Sequence, residues 1–437
     1  MLAGLVTAIT GLAWASVHTR LESSVPSADE VLSTPPERFE LRFSEPVNVA
    51  LSEFLLISPA GDSMAVALDA EGDDRILVGD VPLLENGRYG VRWRTVSADG
   101  HPVSGEFGFT LSVAAAESRV PANSAADSGA AEAEDITPTD SASILAGRDR
   151  VPNPTDLETA PPTGAALLAG LALIAVLGFA GILWYCGALP LLREPRIARA
   201  VWAFGWAALL LGAADLIAWV IRVVPPGAGL ESVRAAVGSN TGLVSLGRLA
   251  LLGVALGTLR RWGRAAAGLA LGAVLIGAAS GHAAATSSWI TMPANAVHLG
   301  AVSLWLGGLL LLVVAPDGPT DGSNSWHFGG VARAVSGTAL LAVLLVVASG
   351  TLQSALYVGN LAALTGTTYG RFVLAKSAGL VVLVAFGAHH RYRVMPHLDS
   401  GGEGRVLRRT VRLETIVMLA VVLLGAWLAR ISPPAAH

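Results

Sequence analysis

From residue 163 onward the chain is a succession of eight apolar segments, at approximately 164–189, 200–224, 242–259, 265–283, 294–314, 334–357, 371–390 and 411–430. Each is close to the roughly twenty residues a helix needs to cross a hydrocarbon core. Lipid offers no partner to a backbone amide, so runs of this length must satisfy their own hydrogen bonds as helices. The expectation is an all-α bundle of eight transmembrane helices over residues 163–437. Composition agrees, with 53% hydrophobic and only 14% charged residues, where soluble domains carry about a quarter charged. The net charge of −4 gives no case for a nucleic-acid partner. The partner these segments call for is a lipid bilayer.

Charge placement orients the bundle. Arg193, Arg196 and Arg199 lie between the first two segments, and Arg260, Arg261 and Arg264 between the third and fourth. Arg333 precedes the sixth, and Arg391, Arg393, Arg405, Arg408, Arg409 and Arg412 lie between the seventh and eighth. The alternate loops hold only Arg222, Arg234 and Arg371. Basic loops stay on the cytoplasmic side, which puts both termini outside the cytoplasm. The other end of the chain agrees. Met1 to Ala15 is a short apolar run closing on Ala13-Trp14-Ala15, a small-x-small pattern that reads as a secretory signal peptide, residues 1–15, although no Lys or Arg precedes it.

Residues 16–113 are polar and alternate with a period of two, in runs such as Arg38-Phe39-Glu40-Leu41-Arg42-Phe43 and Gly90-Val91-Arg92-Trp93-Arg94. Turn signals at Pro35-Pro36, Pro59-Ala60-Gly61-Asp62 and Glu85-Asn86-Gly87 separate them, which predicts a small all-β sandwich or barrel. Residues 114–162 are Ala, Asp, Glu, Ser, Pro and Thr with almost no aromatics, the composition of a disordered linker. The lone cysteine, Cys186, can form no disulfide within the chain and leaves no Cys-x-x-Cys motif.

Two sets of residues carry chemistry. In the β segment, His18 opens the exported part and Asp99 and His101 stand two apart. Residues so spaced on a strand project to one face, and an imidazole/carboxylate set suits Cu(II) or Zn(II). The competing reading is a hydrogen-bonded Asp–His turn. In the membrane segment, ionisable groups are costly and mark functional positions by default. His282 ends the fourth segment and His298 begins the fifth, at matched depth, with Met292 in the short loop between them. Asp215, Arg248, Gln353 and Lys376 fall in the outer halves of their segments, as polar groups along a path, with Asp215 and Arg248 better explained as a structural ion pair than as a ligand site. His298 and Trp305 are seven apart and share a helix face. His389 and His390 sit at the cytoplasmic edge, either as an exit site or as solvated boundary residues.

Several stretches resemble a known family. The segment from His18 to Asp29, Leu41-Arg-Phe-Ser-Glu-Pro-Val47, Tyr89 through Gly105 and Phe107-Gly-Phe109 resemble CopC, the periplasmic copper-binding protein. Ser280-Gly-His282, His298 through Gly308, Thr368 through Lys376 and Arg412-Leu-Glu414 resemble CopD, the copper-resistance membrane protein. The whole is similar to CopC–CopD fusions of the YcnJ type. The resemblance implies an immunoglobulin-like or Greek-key β-barrel and a Cu(II) site made by His18, Asp99 and His101, with Glu45 peripheral to it. It implies copper, as Cu(I) or Cu(II), passing to His282 and His298 in a bacterial cytoplasmic membrane, with periplasmic or extracellular copper donors as partners. The family's leading histidine is normally the first mature residue, whereas here Ser16 and Val17 precede it. Met64 is the one methionine in the β segment, so no Met-rich Cu(I) site is expected. The expected activity is copper binding and transfer, not enzymatic catalysis. The rivals are a haem-containing copper reductase, with His282, His298 and His389 as axial candidates, and a copper store or sensor without transport. No Gly-x-x-x-x-Gly-Lys-Ser/Thr loop is present.

Overall fold

A computed structural model describes residues 19–72, 74–97, 100–113, 163–188, 190–281, 289–317, 327–358, 360–400 and 403–431. The predicted leader, His18, Asp99, the linker 114–162 and His282 lie outside the described residues. Two compact units emerge, a β unit built on Arg20–Thr95 and the chain from Val103, and a helical unit from Ala160 onward.

The β unit is a two-sheet sandwich. One sheet holds β1 (Leu21–Val25), β3 (Arg38–Phe43), β7 (Ile76–Asp80) and β6 (Leu68–Glu71), in the order β1-β3-β7-β6. The other is ordered β2-β9-β8-β4-β5, from β2 (Val31–Leu32), β9 (Pro102–Leu111), β8 (Gly87–Val96), β4 (Glu53–Ile57) and β5 (Ser63–Ala65). β2 runs parallel to β9 and the other paired strands described by register are antiparallel. The alternation seen in the sequence is the cause: on β3, Phe39, Leu41 and Phe43 are buried while Arg38 and Arg42 face out. With Phe54, Leu56, Tyr89, Val91, Trp93 and Phe109 they fill one core. Of the expected sandwich or barrel, the open sandwich is what forms. Tyr89 stacks on Phe109 with ring centroids 5.3 Å apart. Its hydroxyl donates to Glu85 O at 3.0 Å and accepts from Glu85 N at 2.9 Å. Such a tyrosine corner fixes the entry to its strand, a device the sequence reading did not foresee.

The helical unit comprises α1 (Thr163–Ala188), α2 (Pro195–Val223), α3 (Leu230–Gly238), α4 (Asn240–Thr258), α5 (Gly263–Ile276), α6 (Thr291–Val314), α7 (Phe328–Val358), α8 (Leu361–Gly366), α9 (Thr368–His389) and α10 (Glu403–Leu428). Among the described residues, seven helices are long and apolar enough to cross a membrane. The fourth expected span is shorter, an apolar helix over Gly263–Ala279 whose last turn tightens to 3-10 geometry. The short helices α3 and α8 were not anticipated. Both lie in connections away from the arginine-rich loops.

α1 and α6 are the most enclosed of the long helices. Small residues set their crossing. A Cβ on Gly181 would collide with Ser303 O, and one on Gly307 with the Gly181 backbone. Without those two side chains the backbones approach closely, which is how membrane helices gain packing where lipid supplies no hydrophobic drive. Ser303 Oγ then donates to Leu177 O at 2.9 Å, and Tyr185 Oη to Leu304 O at 3.2 Å. The Gly307-Gly308 pair is thus a packing signature, and it locks in place the helix that carries His298 and Trp305.

Candidate metal sites

In the β unit the turn between β8 and β9 carries His101. Ser97 N and Ser97 Oγ both donate to His101 O, at 3.0 and 2.9 Å, and Gly100 N donates to Ser97 O at 2.9 Å. Gly100 makes this turn possible with a φ of +84°, a conformation other residues seldom take. His101 is held half-buried immediately before β9. These bonds tie His101 to Ser97, while the other two predicted ligands, His18 and Asp99, lie outside the described residues, so the Asp–His turn itself is not described. Glu45, in the loop after β3, is half-buried. Burial raises its carboxyl above the usual range, with Arg75 opposing and Glu22 reinforcing the shift. Among the described residues no cluster of three or more His, Cys, Asp or Glu side chains forms a ready-made metal site.

In the helical unit, α6, α7, α9 and α10 enclose two polar layers. His298 on α6 is 8% exposed, and its Nδ1 lies 3.0 Å from Ser349 Oγ on α7. Ser349 has one hydroxyl proton and donates it to Leu345 O at 2.5 Å. The Nδ1 contact then runs from the ring N–H to Oγ. With the proton on Nδ1, the Nε2 lone pair of His298 has no partner among the described residues, and this is the form in which imidazole binds a metal. The ring packs beside Gly350: a Cβ there would stand at van der Waals distance, 3.6 Å, from His298 Cε1.

Lys376 on α9 is close enough to act electrostatically on His298. Its Nζ lies 3.4 Å from the position a Cβ on Gly425 of α10 would take. Gln353 is one turn beyond Ser349 on α7, and its Nε2 is buried with no hydrogen-bond partner among the described residues. Met292 is half-buried in the first turn of α6. Asp215 is paired, but with Arg430 at 3.0 Å, not chiefly with Arg248. The Arg248 guanidinium lies against Gly277, whose added Cβ would meet it at 3.5 Å.

The second layer is nearer the arginine-rich end. Trp305 Nε1 donates to Glu414 Oε1 at 3.1 Å, Glu414 Oε2 faces His390 Nδ1 at 3.0 Å, and His390 Nε2 lies 2.7 Å from Thr410 Oγ1. Glu414 and His390 are 2% and 6% exposed. His390 is therefore no solvated boundary residue, whereas His389 is exposed. Both nitrogens of His390 are engaged, so it offers no vacant ligand atom in this arrangement. Glu414 falls within the Arg412-Leu-Glu414 stretch, but its role in this network is not evident from the sequence. The one signal is a lone carboxylate inside an apolar run.

The CopC domain family matches residues 21–112, and the family described as copper resistance protein D, CopD, matches residues 330–428. The chain is a CopC–CopD fusion. It is 26% identical to the copper transport protein CutJ of Bacillus subtilis, over 95% of this chain and 75% of that one. It is 35% identical to copper resistance protein C of Escherichia coli, over 24% of this chain and 89% of that relative. Among solved structures, CopC from Methylosinus trichosporium OB3b aligns with 32% identity over 22% of this chain and 93% of its own, at a TM-score of 0.21. The CopD match contains Ser349, Gln353, Lys376, His390 and Glu414. His298 and Trp305, their partners on α6, precede it.

Proposed function

We propose that this CopC–CopD fusion binds copper outside the cytoplasm on its β domain and transfers it into and across the membrane through the helical domain. The joining of the two copper-resistance domains in one chain carries this reading. The proteins similar to it are named for copper transport and copper resistance. On the β domain, His101 with His18 and Asp99 forms a nitrogen and oxygen set suited to Cu(II), with Glu45 at its periphery. In the membrane, the Nε2 of His298 receives the ion, with His282 as its expected companion. Because imidazole serves either oxidation state, the membrane step proceeds as Cu(I) or Cu(II). With the arginine-rich loops read as cytoplasmic, the His298 layer lies nearer the outside and the Glu414 layer nearer the cytoplasm.

The haem reading needs two facing imidazoles. Both nitrogens of His390 are engaged, by Glu414 and Thr410, so it offers no axial nitrogen in this arrangement. Copper uptake into proteoliposomes tests the transfer. The wild type is expected to accumulate copper and His298→Ala to fall to the rate of empty vesicles. Equal uptake by the two would overturn the path through α6. Unchanged copper affinity in a His18→Ala, Asp99→Ala and His101→Ala variant would overturn the capture site.

A further inference from the structure

At the arginine-rich end, outside both polar layers, a cavity of about 400 Å³ opens between the start of α7 and the turns that follow α9. Its lining is Arg333, Ser336, Gly337, Arg391, Tyr392 and Met395. Two guanidiniums, two hydroxyls and no carboxylate face one space. Its size falls in the range of small-ligand sites.

The cavity walls come from different parts of the chain. Arg333, Ser336 and Gly337 are successive positions on α7. Arg391 and Tyr392 belong to the π-helical turn His390–Val394, which widens the end of α9, and Met395 begins the next turn. The turn begins at His390, whose ring is held by Glu414 and Thr410. With His390 held inward, the next two residues face the cavity. Arg391 Nη1 already reaches across to Ser336 Oγ, 3.5 Å away. Arg333 Nη2 also lies 3.4 Å from His327 Nε2, and the neighbouring Arg408 pairs with Asp317 at 2.7 Å and lies over the Phe328 ring.

We propose that this cavity binds a phosphate-bearing group, presented by an anionic phospholipid headgroup. Guanidinium is the side chain suited to phosphate oxygens, which it can bind in a bidentate fork. Basic pockets between membrane helices on the cytoplasmic side take lipid headgroups. A surface for the acyl chains continues from the same face. Leu340, Leu341, Leu344 and Val347 of α7 are large, apolar and exposed, and they follow Gly337 at helical spacing. Val381, Val382 and Val384 of α9 are exposed as well. Tyr392 is 73% exposed, an amphipathic ring at the level where such rings border headgroups. A soluble phosphate would use the guanidiniums alone, whereas a phospholipid uses the apolar stripe too.

Native mass spectrometry of the full-length protein tests this. The protein is delipidated in detergent and then mixed with phosphatidylglycerol, phosphatidylcholine or inorganic phosphate. The wild type is expected to retain one phosphatidylglycerol in preference to phosphatidylcholine, and millimolar inorganic phosphate is expected not to displace it. In an Arg333→Gln, Arg391→Gln variant, occupancy should fall at least tenfold, whereas Arg371→Gln, at the opposite end of α9, should behave as wild type. Displacement by inorganic phosphate would keep the phosphate site and assign it to a soluble source. Equal retention of the two lipids, or unchanged retention in the double variant, would overturn the proposal. Matching size-exclusion profiles and thermal midpoints establish that the variants are folded. If the double variant fails that check, Ser336→Ala with Tyr392→Phe serves in its place, and unchanged retention in it counts against the site.

Discussion

Glu414 binds two helices at once: its Oε1 accepts from Trp305 Nε1 at 3.1 Å and its Oε2 meets His390 Nδ1 at 3.0 Å. A carboxylate this deeply buried is tolerable only with both oxygens occupied. Replacing it by alanine strands an indole N–H and an imidazole together. Breaking a buried pair in this way costs about 3–5 kcal/mol. Glu414→Gln should cost less, since its amide oxygen still accepts from Trp305 while His390 shifts its proton to Nε2. Thermal unfolding in detergent should rank wild type above Glu414→Gln above Glu414→Ala. Identical midpoints for Glu414→Ala and wild type would remove the network from the forces holding α6, α9 and α10 together.

Ser349 is a positioning residue for His298. Its hydroxyl holds the ring in the tautomer that frees the Nε2 lone pair. Removing an outer partner of a ligating histidine typically costs 10- to 100-fold in metal affinity, while a lost neutral hydrogen bond costs only about 1 kcal/mol of stability. In Ser349→Ala the copper concentration giving half-maximal uptake should therefore rise about tenfold or more, with little change in thermal midpoint. A large fall in midpoint with unchanged uptake would make the contact purely structural.

The apo β domain carries a pH signature. Burial raises the Glu45 carboxyl above its ordinary value, so the folded domain holds that proton more tightly than the unfolded chain. By linkage, this contribution is fully present below the unfolded value and is lost as pH rises through the folded one. Denaturant unfolding with chelator present should show wild-type stability falling across that window relative to Glu45→Gln. A parallel pair of pH profiles would contradict the shift.

The α1–α6 crossing makes opposite predictions for two glycines. Gly181→Ala pushes a methyl into Ser303 O, an overpacking that typically costs about 1–3 kcal/mol. Gly253→Ala on α4 meets nothing within 4 Å. It should gain up to about 1 kcal/mol, because glycine is a poor helix residue. Thermal midpoints should move in opposite directions, and a shared direction would refute the close-contact account.

Both halves of the fold were legible because each is written in a strong period. Phe39, Leu41 and Phe43 alternate as a half-buried strand must, and the apolar runs leave helices as the economical way to cross lipid. The fourth span was over-extended because apolar character continues past Ala279, where the helix stops. His298 was legible as a polar residue in an apolar run. Ser349, its hydrogen-bond partner, was not, because serine is common in such helices and its meaning lies 51 positions away on another element. The same holds for Asp215. The nearest candidate in depth was Arg248, but the tertiary fold brings the chain's end around, and Arg430 supplies the pairing. Short-range spacing cannot report partners of that kind.

α10 takes part in both polar layers, through Gly425 beside Lys376 and through Glu414 beside His390. Those positions are about 16 Å apart along one rigid rod. Any tilt or slide that loosens one set of contacts is felt at the other in the same instant. The helix therefore works as an interlock, in which the two mouths of the bundle are not free to change independently.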